Sequence, residues 1–211
     1  MDVKYGLTSG LTLDLTLNTD FSQVEADDAQ INFTRFSLFF PEKREFFLEN
    51  QQIFEFGNVG TRGGSRRRGG LIRPGAELIP CFSRRIGIAE LDDENTLIPI
   101  LGGARLTGRA GRYTLGIISM QTAEFQTIPS TNFTIGRLRR DVLQNSDVGV
   151  IFVNKAENGG YYNRTYGADG TLRFFNALEL SSYFLKTDTP ELVDQDSAGF
   201  FRATWRDRLL D

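Results

Sequence analysis

The chain has 211 residues, 40% of them hydrophobic and 24% charged, which fits one folded domain or part of a larger one and excludes wholesale disorder. A net charge of −3 argues against a protein held on nucleic acid by a general positive field. With no His there is no His-dependent triad and no common zinc or facial-triad site, and the single Cys, Cys81, permits neither an internal disulfide nor a thiolate cluster.

Met1-Asp2-Val3-Lys4-Tyr5 leads directly into strand-like sequence with no basic-then-apolar leader, and no run of about 18 apolar residues offers a transmembrane helix. At face value this describes a cytoplasmic protein; the other reading is an internal piece of a longer one. Strands are predicted over 3–8 and 11–18, where Leu11, Leu13, Leu15 and Leu17 interleave with Thr12, Asp14, Thr16 and Asn18. Successive strand side chains point to opposite faces, so this segment has one apolar and one polar face. Residues 31–57 fit neither strand nor helix period, although Pro41 before Glu42, Lys43, Arg44 and Glu45 suits the start of a helix of one or two turns. Residues 57–78 read as a Gly- and Arg-rich loop with Arg62-Gly63-Gly64 and Arg66-Arg67-Arg68-Gly69-Gly70. As an RNA-binding tract it would stand alone in a net-acidic chain, so a flexible basic loop is the better-supported reading.

Further strands are predicted over 79–88, 97–108, 112–121, 132–140, 147–154, 163–174, 178–186 and 198–206. Tyr166, Ala168, Gly170, Leu172 and Phe174 share one face of their strand, as do Gly199, Phe201, Ala203 and Trp205 of theirs. Alternation alone does not say whether the apolar face meets a protein core or lipid. The connections break the tie. Those at Ser9-Gly10, 109–112, 141–146 and 175–177 are short, while 19–30, 89–96, 122–131, 155–162 and 187–197 are longer and polar. In a meander every second connection lies at the same end, and short turns on one rim with loops on the other mark an outer-membrane barrel. The expected fold is therefore all-β, an antiparallel up-and-down meander forming part of a transmembrane β-barrel, with a short irregular or helical inserted segment. If 19–30 lies outside, 31–78 must make an odd number of crossings before 79–88. Ten strands, or eleven with one in 31–57, are expected, and an isolated 1–211 should be a curved sheet with exposed edges.

Asn18-Thr19-Asp20-Phe21-Ser22-Gln23-Val24-Glu25-Ala26-Asp27, Phe39-Phe40-Pro41-Glu42-Lys43-Arg44-Glu45-Phe46-Phe47-Leu48-Glu49 and Phe82-Ser83-Arg84-Arg85-Ile86-Gly87 resemble a family of bacterial proteins. Arg137-Leu138-Arg139-Arg140-Asp141, Asn163-Arg164-Thr165-Tyr166-Gly167 and Trp205-Arg206-Asp207 extend the likeness. Members resemble outer-membrane barrels of Bacteroidetes and related phyla, with a barrel domain of unknown function. The resemblance implies a leader and a carbohydrate-binding, family-nine-like β-sandwich ahead of the barrel. Both are absent here, so residues 1–211 are expected to be one partial barrel domain from the bacterial outer membrane. It supplies no catalytic residue.

The polar faces carry Asp14, Arg105, Asp169, Arg173, Glu179, Arg202 and Arg206, which a barrel turns to its lumen. Such a lining binds anions or sugars, or braces itself through cross-strand pairs, and bracing is the better-supported reading. Glu42, Lys43, Arg44 and Glu45 are the candidates in the inserted segment, which is either packed in the lumen or an ordinary excursion beneath a loop. Arg84 and Arg85 are adjacent and would face opposite ways in a strand. An Arg at mid-depth on a lipid face costs about 2–4 kcal/mol, so a bulge, a rim position or contact with 31–57 is expected. Arg137 and Arg139 share a face with Phe133 and Ile135, leaving the facing of that strand open. Asp20, Glu25, Asp27 and Asp28 lack EF-hand spacing. No catalytic residue, metal or cofactor is assigned. The expected function is passage or surface binding by a barrel protein, with a glycan connection drawn from the family. A carbohydrate-active enzyme and a soluble β-sandwich binding module are the alternatives. Outer-membrane lipid and glycans are the expected partners, nucleic acid is not, and the oligomeric state is open.

Overall fold

The computed structural model describes residues 1–19, 42–57, 80–81, 83–91, 94–175, 177–190 and 196–205. Its strands are β1 (Asp2–Thr8), β2 (Leu11–Thr19), β3 (Ile88–Leu91), β4 (Glu94–Leu97), β5 (Ile100–Ala110) and β6 (Tyr113–Thr122). They continue as β7 (Thr131–Leu143), β8 (Ser146–Glu157), β9 (Tyr162–Phe174), β10 (Leu178–Asp188) and β11 (Ser197–Trp205). Nine of these make one antiparallel up-and-down sheet in the order β1-β2-β5-β6-β7-β8-β9-β10-β11, and β3 and β4 form a separate hairpin. The expected meander is therefore present as an open sheet. It has no second large sheet stacked on it among the described residues, as a β-sandwich would require.

The ends of the sheet differ in part as the connection lengths predicted; of the longer connections expected, 155–162 reduces to 158–161 between β8 and β9, and 89–96 lies largely in β3 and β4. Gly10, Gly111-Arg112 and Gln144-Asn145 close tight turns at one end, while 123–130 and 189–196 connect strands at the other. Gly111 and Asn145 both have φ near +60°, the left-handed conformation that such turns require.

Four expectations are corrected. The strand expected over 79–88 is not formed by its described residues before Ile88, where β3 begins: Ser83–Arg85 is a turn of 3-10 helix, Arg84 is buried and Arg85 exposed. Nor does the segment between the second strand and the later ones cross the sheet an odd number of times. Thr19 pairs with Ile100, so β2 and β5 are direct neighbours and the chain leaves and re-enters the sheet at the same end. Among the described residues the large sheet has nine strands in place of ten or eleven, and 97–108 divides between the last residue of β4 and β5. Asp20, Glu25, Asp27, Asp28, the Arg-Gly tract within 58–78, the stretch 31–41 and Arg206 lie outside the described residues.

Cross-strand registers sort every strand residue onto one of two faces. One carries Leu11, Leu13, Leu15, Leu17, Leu106, Ile117, Leu138, Val150, Tyr166, Phe184 and Phe201, and it is open: Val150 is 53% and Phe184 57% exposed. The other carries Asp14, Arg105, Arg137, Asp169, Arg173, Glu179 and Arg202. This second face also holds Ile118, Met120, Ile135, Ile151, Val153 and Leu185, which form the buried core with Phe47, Phe56 and Ile86 from outside the sheet. The core thus sits on the charged face, beneath the inserted segment.

Candidate functional site

Residues 42–57 lie as a strap across the charged face. A short helix, α1 (Glu45–Leu48), is followed by Asn50 in the left-handed region (φ 57°) and a 3-10 turn over Gln51–Phe54. Asn tolerates that conformation better than most residues, so the two helical turns break direction there. A helix as short as α1 leaves C-terminal carbonyls without intrahelical donors. Arg105 of β5 supplies them: its Nη1 donates to the carbonyls of Phe46 and of Glu49, the latter at 2.8 Å. Its remaining donors reach Asp14 at 3.0 and 2.7 Å and the Glu49 carboxylate at 2.7 Å. Arg105, only 1% exposed, is a clamp between two strands and the strap. Lys4 of β1 closes the same cluster by donating to Glu49. These two hydrogen bonds, with the positive charges behind them, hold the Glu49 carboxyl below its ordinary value, the Lys4 bond most strongly.

Beyond α1 the strap continues over successive strands. Asn50 Nδ2 donates to Thr107 Oγ1 of β5 at 3.2 Å. Ile53 and Phe54 sit on Gly116 of β6, where a Cβ would come within 2.8 Å of both side chains, so only glycine lets the strap approach. Phe56 packs near the Arg137 guanidinium and against Tyr183, and the Gly57 amide donates to Asp169 Oδ2 at 3.0 Å. Three strap rings each lie beside a guanidinium: Phe46 by Arg105, Phe47 by Arg44 and Phe56 by Arg137, at 5.0, 4.3 and 5.5 Å. Such cation–π contacts strengthen when desolvated.

At its start the strap is pinned to the 3-10 turn. Arg44 bonds both oxygens of Glu42 at 2.8 Å and donates to the carbonyls of Ser83 and Ile86 at 2.7 and 2.6 Å, while Ser83 Oγ donates to Glu42 at 2.8 Å. Burial opposes ionisation of Glu42, but the Arg44 and Ser83 bonds outweigh it and its pKa is lowered. Lys43 and Glu45 instead face solvent. Burial pushes the Cys81 thiol up to about 12, so at neutral pH it is no thiolate nucleophile.

The candidate residues from the sequence therefore divide. Asp14 and Arg105 meet directly. Asp169 meets Arg137, whose facing the sequence left open. Arg173 and Glu179 pair at 2.9 Å, away from the strap. Arg202 is exposed and joins no cluster among the described residues; Glu42 and Arg44 tie the strap down. Glu49 and Arg137 were missed as site residues. For Arg137 the available signal was the unusual Phe content, 18 residues, since Phe46, Phe47 and Phe56 of the strap each lie beside an arginine; Glu49 had none.

Residues 1–96 match a domain of unknown function (DUF5916). That stretch holds β1, β2, the strap and the turn that pins it, so strap and first hairpin belong to one similarity unit. No curated protein and no solved structure matches the chain.

Proposed function

We propose that the chain is part of a membrane-spanning β-barrel of the bacterial outer membrane, with lipid against its apolar face and the strap filling its enclosed side. The observation that carries this reading is the distribution of charge on the open face. Arg140 lies at the short-turn end, and Arg164, Lys186 and Asp188 lie at the other. Between them the outward strand positions among the described residues carry no charged side chain. Monomeric proteins in water rarely expose contiguous apolar patches beyond a few hundred Å². An apolar band about 25 Å tall, bounded by aromatic and charged residues, is what tilted strands present to a bilayer. Tyr113, Phe174 and Trp205 occupy the short-turn end of this face and Tyr162 the other, positions suited to an interfacial belt.

A filled interior favours binding at the surface over free passage. Asp14, Asp147, Asp169 and Glu179 on the charged face each pair with an arginine, which gives the carbohydrate-active enzyme reading no free carboxylate pair among them. The reading is tested with the full-length protein in vesicles of phospholipids brominated on the acyl chain. Bromolipid should quench Trp205 fluorescence strongly while aqueous iodide leaves it bright. Quenching by iodide and not by bromolipid would overturn the assignment.

A further inference from the structure

On the apolar face, two adjoining shallow hollows of about 610 and 760 Å³ share Leu138, Val150, Ala168 and Phe184. Their shape follows from the register. Arg140, Val148, Gly170, Ser182 and Phe201 form one row across β7 to β11, and Leu138, Val150, Ala168, Phe184 and Gly199 form the next. Small residues at Gly170, Ser182 and Ala168 make the floor, and Leu138, Phe184 and Phe201 stand above it. The groove is apolar except at the short-turn end, where Arg140 stands over the Tyr113 ring at 5.3 Å. Arg140 is exposed and has no carboxylate partner among the described residues; neighbouring Asp141 is taken by Arg109. An arginine held by an aromatic ring at the rim of an apolar channel presents free N–H donors in the geometry that suits phosphate.

We infer that this groove is a binding site for one diacyl phospholipid, its phosphate on Arg140 and an acyl chain along Gly170, Ala168 and Ser182. The inference rests on the lipid-facing reading of the same surface and adds a defined occupant to it. Charge complementarity selects a lipid over a second copy of the chain, because the charged side chain on the groove's own face at that end is Arg140, with which no carboxylate among the described residues pairs; the Arg109–Asp141 pair beside it belongs to the other face.

The test is native mass spectrometry of the full-length protein released from detergent micelles containing dioleoylphosphatidylglycerol or dioleoylglycerol, which lacks the phosphate. A cationic side chain near a membrane surface contributes about 1 kcal/mol, so the wild type should retain the phospholipid about five-fold better than the diacylglycerol. Arg140→Gln should abolish that preference, Arg140→Lys should restore part of it, and Ala168→Phe should reduce retention of both lipids by filling the groove. Equal retention of the two lipids by the wild type, or an undiminished preference in Arg140→Gln, would overturn the site. Trp205 quenching by bromolipid, measured on the same protein in brominated-phospholipid vesicles, separates the cases: retained quenching with no lipid preference defeats the groove alone, and lost quenching defeats the membrane assignment.

Discussion

Arg137 of β7 and Asp169 of β9 form a bidentate ion pair, 2.6 and 2.8 Å, across the intervening strand β8. The guanidinium passes over Gly149, where a Cβ would lie 2.8 Å from Arg137 Nη1, so the pair depends on a missing side chain. Arg137 is 1% exposed, and its Nε has no hydrogen-bond partner among the described residues. Removing the carboxylate leaves a buried, uncompensated cation. Asp169→Ala should therefore destabilise the folded protein by about 3–5 kcal/mol in urea unfolding from vesicles. Replacing both partners, Arg137→Met with Asp169→Leu, should cost much less. Equal losses for the single and double variants would refute this account.

Gly116 sets how closely the strap can lie on β6. Gly116→Leu should lift Ile53 and Phe54 and free Arg44, which is 6% exposed in the native chain. Trypsin should then cut after Arg44 at least ten-fold faster, while cleavage after Arg112, in the tight turn at Gly111, stays at the wild-type rate. A cleavage rate equal to that of the wild type would mean that the strap does not rest on this glycine.

The strap carries a dependence on pH whose sign follows from its carboxylates. Glu42 and Glu49 both have folded pKa values below the ordinary 4.5. Their contribution to stability is fully present above that value and is lost as pH falls through the lower folded values. Hydrogen exchange of backbone amides 44–49 should be unchanged from pH 7 to 5, after correction for intrinsic rates, and should rise below about pH 4. Glu42→Gln should flatten most of this transition, because Glu42 is the buried member of the two. Exchange that rises between pH 7 and 5 would place the titrating group elsewhere.

Phe184 stands at the middle of the open face. Phe184→Arg should disfavour insertion into vesicles by about 2–4 kcal/mol, and Lys186→Arg, at the charged end, should be neutral. Folding yields measured by heat-modifiable migration distinguish the two. Equal yields would argue against lipid at this face.

The nine-stranded meander was legible because the outward positions follow one simple rule: Leu11 to Leu17 and Tyr166 to Phe174 alternate cleanly, and their contacts need no partner from elsewhere in the chain. The charged face obeys no such rule. It mixes apolar positions, Phe133 and Ile135, with arginines at 137 and 139, because the strap brings rings and acceptors to Arg105 and Arg137 from elsewhere in the chain, so a single strand read alone gives a contradictory pattern. The stretch 79–88 failed for a related reason. Its 3-10 turn has two carbonyls capped by Arg44, from about forty residues earlier, and that long-range contact leaves no local periodicity to detect. Asp14 and Arg105 were found by their place in the alternation, while Glu49 lies outside any strand and gave no signal of its own.

The parity of the sheet governs how its two margins can be joined. Each neighbouring pair in the large sheet is antiparallel, and nine such strands make β1 and β11 run in the same direction. A direct seam between them would be a parallel ladder, with slanted and slightly weaker hydrogen bonds. A cylinder uniform in its pairing would instead interpose an odd number of further strands, giving the even total usual among single-chain bacterial barrels.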